Sequence, residues 1–137
     1  MLADGGLMLQ WIGHREELHY KLIMRTFLRV FPHATLWADG SLMVGTPSPL
    51  RISRGAYERR LRDPDVLLGL SRVRLDTFDA VTRRYTAGAD EMRRFVGDGP
   101  VLTDDRPLLE FHRSLPDGGA PLDLSGLRGD VRRHLGD

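Results

Sequence analysis

Apolar positions at the start of the chain follow the pattern of a strand and then of a helix. Residues 7–12 form a short, nearly all-apolar run directly after the turn-forming residues Asp4-Gly5-Gly6. Such a run is typical of a strand covered on both faces in an α/β sheet. From His14 to Phe31 apolar residues recur every three or four positions, and Pro32 follows. This spacing predicts an amphipathic helix that Pro32 ends.

Two shorter apolar runs come next, at residues 34–38 and 41–46, separated by Asp39-Gly40. An Asp-Gly pair between apolar runs is the strongest short-range signal for a β-hairpin. The first 46 residues therefore predict a strand, a helix and an antiparallel hairpin.

Proline and glycine divide the rest of the chain into short segments. Pro47 and Pro49 predict an extended linker, and Asp63-Pro64 is a favoured helix start. We predict helices at residues 53–62, 65–70, 76–85 and 89–96, a strand or extended segment at 108–112, and a terminal helix at 124–135. The pattern thus divides the chain into residues 1–50, a mostly helical extension at 51–115, and a turn-rich tail at 116–137.

Composition narrows the classes of function. The chain has 137 residues, 41% of them hydrophobic and 28% charged, as expected of one globular domain. It has no cysteine, which excludes disulfides, thiolate nucleophiles and cysteine-bound zinc. A net charge of +1 gives no overall attraction to nucleic acid or to an acidic membrane. No apolar run is long enough to span a bilayer, so we expect a cytoplasmic protein without membrane insertion.

Three segments carry a resemblance to a known family. They are LADGGLMLQW at residues 2–11, FPHATLW at residues 31–37 and TDDRPLLEF at residues 103–111. In this order and spacing they resemble the C-terminal half of spermidine-synthase-like proteins, the polyamine aminopropyltransferases and their bacterial relatives. The resemblance covers roughly residues 1–112. It implies an α/β fold: the C-terminal portion of a methyltransferase-like Rossmann sheet, followed by a mostly helical extension.

The resemblance also implies a substrate site. Gln10 stands where the family has a glutamine that helps to hold the amine substrate, and Trp11 lies beside it. Trp37 is a second aromatic residue that either flanks such a site or belongs to the core. The acidic residues of the third segment suit a cationic polyamine or a hard metal ion, although a capped turn before Pro107, neutralised by Arg106, is the favoured explanation. These acidic residues are Asp104, Asp105 and Glu110, with His112 two positions further on.

The chain departs from the family pattern where catalysis would be carried. The family binds decarboxylated S-adenosylmethionine, its co-substrate, with a glycine-rich loop and an acidic residue, and it uses an aspartate base. These features precede the matched region in the family, and nothing in this chain replaces them. An amine must lose its proton before it can attack. We therefore expect no catalytic residue and no cofactor site here, and no aminopropyl transfer by this chain alone.

Two other clusters have simpler explanations than a site. His14 and His19 are five residues apart, so on a helix their rings diverge by roughly 140° and cannot share a zinc ion. Residues 51–94 contain 11 arginines and 7 acidic residues, interleaved along the chain. That pattern indicates a solvated helical surface with ion pairs and not a nucleic-acid interface.

Two hypotheses about function remain. If the chain begins within a domain, as the strand at residues 7–12 indicates, an N-terminal half with a nucleotide site completes it. Alternatively, the chain is a non-catalytic module that dimerises or binds a partner. Both hypotheses follow from the outer edge of the strand at residues 7–12. Its backbone groups lack a partner and its side chains are apolar, so another strand has to cover it.

Overall fold

The computed structural model describes residues 5–13, 16–103 and 120–136. Within these residues the fold is mixed α/β, with one four-stranded antiparallel sheet and five α-helices. The strands are β1 (Met8–Trp11), β2 (Thr35–Trp37), β3 (Leu42–Gly45) and β4 (Tyr85–Ala87). The helices are α1 (Glu17–Val30), α2 (Arg54–Arg60), α3 (Pro64–Arg72), α4 (Phe78–Thr82) and α5 (Ala89–Val96), with a short 3₁₀ helix at Val131–His134.

The sheet has the strand order β1-β3-β2-β4, and all neighbours are antiparallel. Leu36, Met43 and Gln10 lie side by side across three strands, on the face that packs against α1. The predicted hairpin at Asp39-Gly40 is confirmed. Asp39 and Gly40 both have positive φ, 53° and 85°, which explains why an Asp-Gly pair suits this turn.

The hydrophobic core lies between this face of the sheet, α1 and α5. Its buried side chains come from all parts of the described chain: Ile12, Tyr20, Met24, Phe27, Leu28, Ala34, Leu36, Met43, Ala87, Met92, Val96 and Leu127. The segment after residue 50 therefore contributes β4 and α5 to the same core as the first 46 residues.

Local sequence signals placed several helices correctly. The Ser53 hydroxyl accepts a hydrogen bond from Ala56 N at 3.1 Å and begins α2. The Asp63 carboxylate accepts from Asp65 N at 2.9 Å and begins α3, with Pro64 at the first helical position. The sequence predicts both helix starts and, at Asp63-Pro64, the capping contact itself. None of the helices that the structure describes is long and apolar enough to span a membrane.

The predicted helix at 76–85 is wrong in its second half. Helix α4 ends at Thr82, and Tyr85–Ala87 forms β4 on the free edge of β2. Leu36 and Trp37 supply the backbone partners, and the Tyr85 ring packs edge-on against Trp37 with centroids 5.3 Å apart. A three-residue strand is too short to show alternation, so the hydrophobic pattern does not predict it.

The predicted terminal helix at 124–135 is also wrong, apart from the 3₁₀ helix at Val131–His134. The tail makes long-range backbone contacts in its place. Gly129 N donates to Thr86 O of β4 at 2.8 Å, and Ile52 N donates to His134 O at 2.8 Å. Gly126 and Gly129 interrupt the predicted helix, since glycine is a poor helix former.

Candidate functional site

Strand β1 is the edge of the sheet, and among the described residues it pairs only with β3. Ile12 N donates to Ser41 O at 2.8 Å, one position beyond the last strand pair. Antiparallel pairs alternate in hydrogen bonding, so Gln10 and Met8 also direct their backbone groups toward β3. The backbone groups of Leu9 and Trp11 therefore point away from the sheet.

The side chains of β1 are exposed on both faces of the sheet, which corrects the expectation of a strand covered on both faces. Leu7, Leu9 and Trp11 alternate along one face and are 50%, 55% and 70% exposed. Met8 and Gln10 lie on the other face, and both are exposed. The physical reason is that no described element lies beyond the outer edge of β1.

A groove of about 430 Å³ runs between β1 and α1 on the Met8 face. Its walls are mostly apolar: Met8, Ile12, Ile23, Phe27, Val30, Phe31 and Leu102. Trp11, on the opposite face of β1, also borders the groove. Glycine at position 45 lets the α1 end approach the sheet, because a side chain there would overlap the Phe31 ring. Val30 is 66% exposed at the rim of this groove.

The polar groups of the groove already have partners. Gln10 Nε2 donates to Trp11 O at 2.9 Å, which turns the amide along its own strand. The Thr26 hydroxyl donates to Leu22 O and accepts from Leu102 N, both at 2.8 Å. The groove therefore offers mostly apolar surface beside the outward-facing backbone of β1, and these features suit a polypeptide better than a small charged molecule.

The other predicted site residues divide into two groups. Trp37 is buried on the face of the sheet opposite to α1, and its Nε1 donates to Thr35 Oγ1 at 2.8 Å. Strand β3 separates it from Trp11. Asp104, Asp105 and Glu110 lie outside the described residues, as do His14 and His112, so the structure does not place these five relative to Gln10.

The arginine-rich segment shows the ion pairs that its sequence indicates. Arg54 contacts Asp79 at 2.8 Å, Arg93 contacts Asp90 at 3.0 Å, and Arg94 contacts Glu91 at 3.3 Å. All three arginines are exposed. These contacts agree with a solvated helical surface.

A second polar cluster joins β4 to the tail and has no signature in the sequence. Tyr85 Oη lies 3.0 Å from His134 Nε2, and His134 Nδ1 lies 3.3 Å from Leu50 O. A carbonyl can only accept, so Nδ1 carries the proton and Nε2 accepts from the tyrosine. Burial first, and then the nearby Glu91 carboxylate, raise the pKa of Tyr85 to about 12. This phenol is thus held neutral and serves as a hydrogen-bond donor rather than as a nucleophile.

Within residues 5–13, 16–103 and 120–136, no three histidine or acidic side chains are grouped as a metal ion would need. Comparison of the chain with protein-family models, with curated proteins and with solved structures gave no match.

Proposed function

We propose that this chain is a protein-association module derived from the C-terminal part of a spermidine-synthase-like domain, and that it transfers no aminopropyl group by itself. The observation that carries the proposal is the outer edge of β1. Its backbone groups point away from the sheet, and apolar side chains are exposed on both of its faces. Proteins cover such edges, because an open edge pairs readily with another strand.

The strand order supports the proposed ancestry. Strand β3 follows β2 in the chain but lies between β1 and β2 and is antiparallel to both. Strands β1 and β2 are therefore parallel, with α1 as the connection between them. Methyltransferase-like Rossmann sheets end in the same way, with a strand, a helix and an antiparallel hairpin. In that fold the counterpart of β1 has a parallel neighbour on its outer side.

Strand addition suits this edge energetically. A partner strand would supply hydrogen bonds to the outward-facing groups of Leu9 and Trp11. It would also shield the exposed halves of Leu7, Leu9 and Trp11 from water. Each half-exposed large apolar side chain contributes about 1 kcal/mol when it becomes buried. Backbone pairing and apolar burial therefore act together on one short segment.

The mass of the purified chain in solution tests this proposal. We expect light scattering to give a discrete species heavier than the 15.5 kDa monomer. Leu9→Lys should shift it to the monomer, because a lysine on the free edge opposes strand pairing. Leu68→Lys is the matched control: Leu68 is also 55% exposed but lies on α3. A chain that is monomeric at every concentration, with both variants unchanged, contradicts the proposal.

A second candidate is one half of a split aminopropyltransferase that acts on a polyamine. Gln10 favours it, since the exposed amide lies in the groove on the side where a completing half would add its strand. That half would supply the nucleotide-binding loop and the base, and Asp104, Asp105 and Glu110 would contribute negative charge. Calorimetric titration with putrescine distinguishes the two candidates. Saturable binding that Gln10→Ala removes favours the split enzyme.

A further inference from the structure

We infer that the occupant of the β1 edge is the β1 strand of a second copy of this chain, paired antiparallel with Leu9 opposite the partner's Leu9. This inference rests on the proposed function and specifies its partner. It follows from which backbone groups face outward and from which side chains stand on each face of β1.

The outward-facing backbone groups restrict the pairing. They belong to the odd-numbered positions, Leu9 and Trp11 in the strand and Leu7 directly before it. A two-fold antiparallel pair must place odd positions of one copy opposite odd positions of the other. Three registers satisfy this condition, with the two-fold axis at Met8, at Leu9 or at Gln10; the residue at the axis is the centre of the register. Only the centre at Leu9 uses all three outward-facing residues, whereas the other two leave one residue without a partner in the strand.

The side chains match in the register centred on Leu9. On one face Leu7 lies opposite the partner's Trp11, and Leu9 lies opposite the partner's Leu9. Every cross-strand pair on this face is therefore apolar, and such pairs stabilise a sheet. On the other face Met8 lies opposite the partner's Gln10, so that no two amides lie directly opposite each other.

Charge also favours a second copy. Residues 7–12 contain no charged side chain, so two copies of the strand meet without repulsion. Lysine or other charges commonly protect natural edge strands from such pairing, and this edge lacks them. In the single chain Gln10 Nε2 donates to Trp11 O. In the dimer this hydrogen bond would break, so that Trp11 O can accept from the partner strand. The two four-stranded sheets would then form one continuous antiparallel sheet.

Disulfide formation between engineered cysteines tests the register directly, because the natural chain has no cysteine. In this register Met8 and the partner's Gln10 form a pair without main-chain hydrogen bonds, with Cα atoms about 4.5 Å apart. A disulfide fits that distance. The two Met8 residues are diagonal neighbours about 7–8 Å apart, which a disulfide does not span. The two Gln10 residues are related in the same way.

The experiment oxidises Met8→Cys alone, Gln10→Cys alone, and the two variants after refolding together. We expect the mixture to give a cross-linked dimer. Each single variant should give less than about one-tenth of the cross-linked dimer that the mixture gives. Cross-linking of Met8→Cys alone places the centre at Met8, and cross-linking of Gln10→Cys alone places it at Gln10. Either outcome overturns the register.

The outcomes separate this inference from the proposed function. If the wild-type chain associates and Leu9→Lys abolishes association, but no cysteine variant cross-links, another partner surface meets β1. The inference then fails while the association module stands. If the wild-type chain is monomeric, both fail together.

Discussion

Tyr85 is the residue at which burial in the folded chain changes an ionisation. Its hydroxyl donates to His134, and burial and Glu91 raise its pKa to about 12. In the unfolded chain a tyrosine ionises near its ordinary pKa of about 10. Between pH 10 and 12 the unfolded chain therefore releases a proton that the folded chain keeps. The stability that Tyr85 contributes is complete below about pH 10 and is lost as the pH rises toward 12.

Urea unfolding across that range checks this prediction. The free energy of unfolding should fall more gently with pH for Tyr85→Phe than for the wild type. Some slope should remain in the variant, because burial also raises the pKa of Tyr20. At neutral pH the variant should lose only about 0.5–1.5 kcal/mol, the contribution of one hydrogen bond. Identical slopes for the two proteins above about pH 10 would mean that Tyr85 ionises alike in the folded and unfolded chains.

Helix α5 depends on a side chain from another element for its C-terminal end. The Arg25 guanidinium of α1 donates to Val96 O at 2.7 Å, Gly97 O at 3.2 Å and Pro100 O at 2.7 Å. The last carbonyls of a helix have no partner within it, and a cation there also suits the helix dipole. This one planar group therefore fixes α5 and the loop that follows it.

Arg25→Lys should lower the free energy of unfolding by about 1–2 kcal/mol, since an ammonium group cannot reproduce the guanidinium fork. Chemical denaturation measures the change. Arg94→Lys is the control, because Arg94 is exposed and, among the residues that the structure describes, pairs along its own helix with Glu91. That pair contributes no more than about 0.5 kcal/mol. Equal losses for the two variants would mean that the contacts of Arg25 with the α5 end do not stabilise the fold.

The tail closes the core of the whole molecule. Leu127 is 1% exposed and packs with side chains of α1, α5 and the sheet. Leu127→Ala should therefore lower the free energy of unfolding by about 2–4 kcal/mol, through lost burial and the cavity left behind. Urea denaturation at one fixed protein concentration measures this loss, because association through β1 would otherwise contribute to the apparent stability.

Leu135→Ala is the matched control for the tail. Leu135 is 37% exposed, so its truncation should cost less than about 1 kcal/mol. A loss for Leu127→Ala no larger than for Leu135→Ala would show that the tail is attached to the domain without completing its core.

Elements whose causes lie within a few residues could be predicted from the sequence alone. Asp39-Gly40 specifies the hairpin because its backbone angles suit the turn, and Ser53 and Asp63 begin helices because their oxygens reach nearby amides. The same sequence pointed to Gln10 and Trp11, and the structure places both on an open strand edge. Their role toward a polyamine stays a prediction, as does the family resemblance.

Features that join distant parts of the chain could not be predicted in this way, because they form only when the chain has folded. Tyr85–Ala87 forms strand β4 because it pairs with the edge of β2. The tail lies beside β4, where Gly129 N donates to Thr86 O. The contact of Tyr85 with His134 spans 49 residues. The exposure of β1 could not be predicted from the sequence either. An apolar run indicates that a strand favours burial, but it does not show whether a neighbouring element covers the strand. Local propensity acts through bonds and sterics along the chain, whereas these features depend on which surfaces meet once it has folded.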